Sequence, residues 1–172
     1  GTGTGGCLCD ENGVIYGKDS FAGEFHKLPF INFSNGKMDN MGDYASMTAL
    51  INIYNDKVDE NVKIKYGHEV CNKYFEGDNT AKEAVDQWID NILVQLITIT
   101  VFYNPEVICI GGGISEEEWF INRIKDRYRE ECIRHTECDV ITTKIDRCKY
   151  NNDANILGAI INASKKRTVI YN

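Results

Sequence analysis

The stretch Asn104-Pro105-Glu106-Val107-Ile108-Cys109-Ile110-Gly111-Gly112-Gly113-Ile114-Ser115 decides the fold. A residue before proline is pushed out of the α region, so a helix arriving at Asn104 stops there. The apolar run 107–110 has the mark of a strand covered on both faces in a parallel sheet. Three glycines end it, and Ser115 with Glu118 three residues on reads as a capping box that opens a helix. In open α/β sheets ligands sit at the carboxyl ends of strands, and helix N-termini favour anions. Gly111, Gly112 and Gly113 are therefore candidate binding positions, the alternative being a tight strand-to-helix turn.

The pattern extends in both directions. Upstream, Thr80 and Glu83 form a second capping box. It opens a helix with the apolar stripe Ala81, Ala84, Val85, Trp88, Ile89, Ile92, Leu93, Leu96, Ile97 and Thr100, wide enough to make the helix central. A shorter helix spans 66–75 and stops at Gly77. Before it, Tyr44, Met47, Leu50, Ile51 and Tyr54 recur at helical spacing. Leu28–Phe33 reads as a strand with Pro29 near its start, followed by a turn at Asn35-Gly36. Residues 4–9 and 14–16 pair as a hairpin across Asp10-Glu11-Asn12-Gly13. Downstream, Phe120, Ile121, Ile124, Tyr128 and Cys132 line one side of a helix, 140–143 reads as a strand, and Asp153 caps a short helix through Ile161. This order predicts an α/β fold, a mixed sheet flanked by helices, in a single domain over residues 1–172.

The 172 residues carry 19 Lys plus Arg against 26 Asp plus Glu, a net charge of −7. That balance argues against nucleic-acid binding, which needs a basic face. No apolar run reaches the roughly 20 residues of a membrane span; Ile89–Phe102 is broken by Asp90, Asn91 and Gln95. An odd count of 7 cysteines and the lack of a secretory signal predict free thiols in a reducing cytoplasm. Cys7-x-Cys9 reads as small core residues, because no second Cys or His pair stands at metal-ligand spacing. Trp88 and Trp119 read as packing residues. The chain opens without an initiator Met, which suggests that part of the protein lies upstream.

Two further segments carry chemistry. In Gly1-Thr2-Gly3-Thr4-Gly5-Gly6 the glycines let backbone N–H groups approach an anion and the threonines add hydroxyl donors. The run leads into a hairpin rather than a helix, so it is neither a P-loop nor a dinucleotide fingerprint; the alternative is a flexible tail. In Ala22-Gly23-Glu24-Phe25-His26-Lys27, Glu24 can accept two sugar hydroxyls while His26 and Lys27 donate. The alternative is a solvated charged loop.

Together these segments resemble the ROK family of bacterial sugar kinases and sugar-responsive repressors. Gly1 to Gly6 resembles its second phosphate loop, and Ala22-Gly23-Glu24-Phe25 its sugar-contacting segment. Asn104 to Ser115 resembles the adenosine-side motif, and Asp153-Ala154-Asn155-Ile156-Leu157-Gly158-Ala159 the closing helix. Tyr44-Ala45-Ser46 and Gly77-Asp78 to Ala81 also fit. The resemblance implies the C-terminal lobe of an actin-like (ribonuclease H-like) ATPase fold. Gly1, Thr2, Gly3 and Thr4 would hold the ATP phosphates, Gly111, Gly112 and Gly113 would let adenosine approach, and Glu24, His26 and Lys27 would contact sugar. It implies Mg²⁺ with the ATP, and a homodimer. The general base and first phosphate loop belong to an N-terminal lobe absent from these residues, so no catalytic residue is assigned and the lobe alone is expected to be inactive.

Three positions depart from the pattern. The usual His falls at Lys27, with His26 where Gly is expected. Gly42 replaces a Glu two positions before Tyr44. The stretch between Lys27 and Tyr44 lacks the zinc-binding cysteines, so no structural zinc is expected. The resemblance also leaves open a sugar-sensing domain of a transcriptional repressor, or a non-catalytic dimerisation lobe.

Overall fold

The computed structural model describes residues 2–170, with side chains described as far as residue 164. The chain divides into two compact units, Gly1–Thr98 and Ile99–Asn172.

The first unit begins with an antiparallel hairpin of β1 (Leu8–Asp10) and β2 (Gly13–Ile15), with Leu8 opposite Ile15. Asp10 Oδ1 accepts the Asn12 N–H at 2.8 Å, so Glu11 and Asn12 form the tip. Cys7 and Cys9 are exposed rather than in the core, because this small hairpin cannot cover both of its faces. A second hairpin joins β3 (Pro29–Asn32) to β4 (Lys37–Asn40), with Ile31 opposite Met38. Pro29 opens β3, as its missing donor requires. β4 has no apolar alternation to announce it. Its register comes from the turn, where Gly36 has φ 68° and donates to the Asn32 carbonyl at 2.8 Å.

The helical stretch after Met41 is split into α1 (Gly42–Ala45) and α2 (Met47–Asn55). Ser46 between them is extended and its Oγ accepts the Ala49 N–H at 3.2 Å. α3 (Gly67–Glu76) stops at Gly77, whose φ of 93° is the left-handed turn that glycine adopts most readily. α4 (Asn79–Tyr103) follows. Its cap is Asp78, whose Oδ1 accepts the Ala81 N–H at 2.8 Å, and not the expected box of Thr80 and Glu83. A carboxylate already sits three residues ahead of Ala81, so the helix starts earlier. All ten residues of the expected α4 stripe are buried.

In the second unit, β5 (Val107–Ile110) pairs in parallel with β6 (Lys144–Arg147), Ile108 opposite Ile145. α5 (Glu118–Thr136) packs against β6 and buries the predicted Phe120, Ile121, Ile124, Tyr128 and Cys132. α6 runs over Ala154–Ile170, longer than expected. Two strand expectations are corrected. The last strand lies at 144–147 rather than 140–143, because Thr143 Oγ1 donates to the Pro105 carbonyl and the Lys144 N–H to the Glu106 carbonyl, fixing the ladder there. β5 alternates exposed and half-buried residues instead of being covered on both faces, since its ladder has one partner strand. The fold is α/β, but among the described residues the mixed sheet is three two-stranded ladders, two antiparallel and one parallel. No described helix is long and apolar enough to cross a membrane.

The two capping schemes differ in a measurable way. Asp78→Ala should lower the unfolding free energy by about 1 kcal/mol in urea titration, while Thr80→Ala should change it by only a few tenths.

Candidate functional site

In the first unit the glycine loop and the Glu24 turn meet. A Cβ at Gly6 would strike the Phe25 ring and lie 3.0 Å from the Gly23 carbonyl oxygen. A Cβ at Gly23, itself at φ 86°, would lie 2.7 Å from Cys7 Cα. Neither position has room for a side chain, so the end of the loop lies against the turn. At the other end of the loop, Thr48 Oγ1 on α2 donates to the Thr2 carbonyl at 2.8 Å. Thr2 and Gly3 are exposed. The Thr4 hydroxyl oxygen is buried without a hydrogen-bond partner. Gly1 lies outside the described residues.

The turn itself is a short 3-10 segment over Phe25–Lys27. Glu24 and Lys27 are exposed, and the Lys27 N–H bonds the Glu24 carbonyl at 2.9 Å. His26 is half-buried and lies over Gly42, where any Cβ would collide with its Nδ1. Its Nε2 is 3.7 Å from Asp43 Oδ1, and Asn40 Nδ2 donates to Asp43 Oδ2 at 3.4 Å. Gly42, which stands where the resemblance expects a Glu, therefore makes space for the imidazole.

Beside His26 a polar network ties the second hairpin to α1. The Tyr44 hydroxyl donates a short bond to Asp39 Oδ2, and Asn32 Nδ2 donates to the same oxygen at 3.0 Å. The Phe30 and Tyr44 rings pack with centroids 4.4 Å apart. Burial, and then the bond to Asp39, push the Tyr44 phenol up to about 12. The same bond, followed by that from Asn32, lowers the Asp39 carboxyl.

α4 supplies three more donors to these segments. Trp88 Nε1 bonds the Ala45 carbonyl at 3.1 Å, Asn91 Nδ2 the Tyr44 carbonyl at 3.0 Å, and Gln95 Nε2 the Phe25 carbonyl at 2.9 Å. None of these three, nor Thr48, Asp39 or Asp43, was a site candidate from the sequence. A signal was present: polar residues 91 and 95, spaced with Trp88 at three and four, on the apolar stripe of a helix.

In the second unit the triple glycine ends β5. Gly112 has φ 87°, and its carbonyl accepts from Ser115 N at 3.0 Å and Ser115 Oγ at 2.7 Å. With its hydroxyl engaged there, Ser115 does not cap α5. A 3-10 turn over Gly113–Glu116 intervenes and Glu117 takes the cap position. A Cβ at Gly111 would lie 3.2 Å from Cys148 Sγ, while nothing lies within 4 Å of one at Gly113. Burial raises the Cys148 thiol, with Cys109 adding to it. The 3-10 turn Asn151–Asp153 packs against that at 113–116, bringing the Asp153 motif to the glycine turn. Among the described residues no group of three or more His, Cys, Asp or Glu is arranged to hold a metal ion.

Residues 1–166 match the ROK family. An uncharacterised protein of Clostridium perfringens is 34% identical over 171 residues, covering 94% of this chain and 52% of its own length. An N-acetyl-D-glucosamine kinase of Vibrio atlanticus is 26% identical over 173 residues, 92% of this chain and 55% of that one. The crystal structure of a ROK family protein from Streptococcus pneumoniae in complex with sucrose is similar at a TM-score of 0.84. It is 25% identical, and the match covers 98% of this chain and 57% of that chain. The chain spans about half the length of the curated relatives it matches.

Tyr44 gives this region a pH signature. A phenol raised in the folded state contributes stability that is fully present below its unfolded value near 10 and lost as pH climbs toward 12. Urea unfolding at pH 8 and pH 11 should show an alkaline loss of stability in the wild type that is smaller in Tyr44→Phe.

Proposed function

This chain belongs to the ROK family, and on that premise we propose that it is the C-terminal lobe, residues 1–172, of an ATP-dependent hexose kinase. ATP, with Mg²⁺ offsetting its triphosphate charge, supplies the phosphoryl group. The kinase name carried by a relative supports this reading. The observation that carries it is the contact of Gly6 with Phe25 and Gly23. It sets the phosphate-type loop beside the sugar-type turn, and phosphoryl transfer requires donor and acceptor to be held about 3–3.5 Å apart.

The roles follow from the chemistry of each side chain. Gly1, Thr2, Gly3 and Thr4 offer backbone N–H groups and two hydroxyls to the β- and γ-phosphates. The unpartnered Thr4 hydroxyl suits such a ligand, because a buried polar group without a partner costs about 1–3 kcal/mol. Gly111, Gly112 and Gly113 let adenosine approach the end of β5, with the space beside Gly113 open. Glu24 accepts two sugar hydroxyls. His26, set by Gly42 and Asp43, and Lys27 donate to others. The base that takes the acceptor proton lies outside these residues, so 1–172 alone transfers no phosphate. The intact protein works in the cytoplasm as a homodimer.

The test is ADP release by the intact protein with Mg-ATP and, in turn, glucose, N-acetyl-D-glucosamine and cellobiose. At least one should be phosphorylated. Glu24→Gln should lower sugar kcat/KM by roughly 30- to 160-fold, the loss of a charged hydrogen bond of about 2–3 kcal/mol, and leave the KM for ATP within about twofold. No ADP release with any of the three would retire the kinase reading.

A further inference from the structure

We propose that Gln95 is a positioning residue for the sugar, acting through the Phe25 carbonyl on Glu24 and His26; this rests on the reading of that turn as the sugar site. Gln95 is only 5% exposed. A buried amide on an apolar helix face is costly unless it is hydrogen-bonded, and a leucine or methionine would fill the same space without that requirement. Its Nε2 donates to Phe25 O at 2.9 Å, an oxygen whose other partner is the Leu28 N–H at 3.2 Å. Phe25 lies between Glu24 and His26, so the orientation of its carbonyl fixes the peptide that leads into His26. The bond therefore sets the spacing of the carboxylate and the imidazole.

The rest of the same helix face holds the surface beneath the imidazole. One turn before Gln95, Asn91 anchors the Tyr44 carbonyl, and one turn further back Trp88 anchors that of Ala45. Those carbonyls belong to α1, which begins at Gly42, the residue over which His26 lies. A single row of donors on α4 thus fixes both parts of the site, the Glu24 turn and the glycine beneath the imidazole.

The intact protein, assayed with Mg-ATP and the three sugars above, tests this. Gln95→Met keeps length and burial but removes the donor. Its sugar KM should rise about tenfold, the scale of one hydrogen bond, with the KM for ATP within about twofold of wild type. Gln95→Glu can donate only when protonated, and burial raises a carboxyl pKa. Its sugar KM, relative to wild type, should therefore fall as pH drops from 8 to 6. Ile89→Val, a core change elsewhere on α4, should lower the melting temperature and leave sugar KM unaltered. A wild-type sugar KM in Gln95→Met, or an equal rise in Ile89→Val, overturns the positioning role alone. A wild-type protein that phosphorylates none of the three sugars overturns the kinase reading and this role together.

Discussion

Three side-chain donors on α4, Trp88, Asn91 and Gln95, point at three backbone carbonyls, those of Ala45, Tyr44 and Phe25. An apolar stripe alone says only that a helix is buried, because hydrophobic contact has no direction. Directed bonds add register. Sliding α4 along its axis or rotating it would leave Trp88 and Gln95 with buried, unsatisfied groups at about 1–3 kcal/mol each. The positions of the Glu24 turn and of α1 follow from that constraint. The glycines complete it by omission, since Gly6, Gly23 and Gly42 each stand where atoms of Phe25, Cys7 or His26 already lie.

The second hairpin is fastened by different chemistry. Tyr44 and Asn32 both donate to one oxygen of Asp39, joining α1 to both strands of β3–β4. The phenol is raised and the carboxyl lowered from their ordinary values, which widens the pH range over which donor and acceptor stay matched. α1 is thus held from two sides, by this network through the Tyr44 side chain and by α4 through the Tyr44 and Ala45 carbonyls. A helix of four residues has little stability of its own, so these outside bonds define it.

Elements specified by long apolar patterns were legible in the sequence. The stripes of α4 and α5, the stop at Gly77 and the break at Asn104-Pro105 all follow local rules. What escaped was set by competition or by distance. Thr80 and Glu83 had the letters of a capping box, but Asp78 caps first. Ser115 had them too, but its hydroxyl bonds the Gly112 carbonyl. The run 140–143 had strand propensity, while bonds to residues 105 and 106 set the ladder at 144. In the candidate site the glycine loop and the Glu24 turn were readable as segments. The bonds that hold the loop, the turn and α1 join residues 43 to 70 positions apart, a separation invisible to any local pattern.

The contact between His26 and Gly42 also couples the two positions. The family pattern that this chain resembles has Gly at the first of these positions and Glu at the second; here both differ. An imidazole at 26 and any side chain at 42 claim the same volume. A side chain returned at 42 would have to displace the imidazole from where it lies. The two positions are therefore read together: changes at 26 and 42 are in contact and their effects on stability should not add.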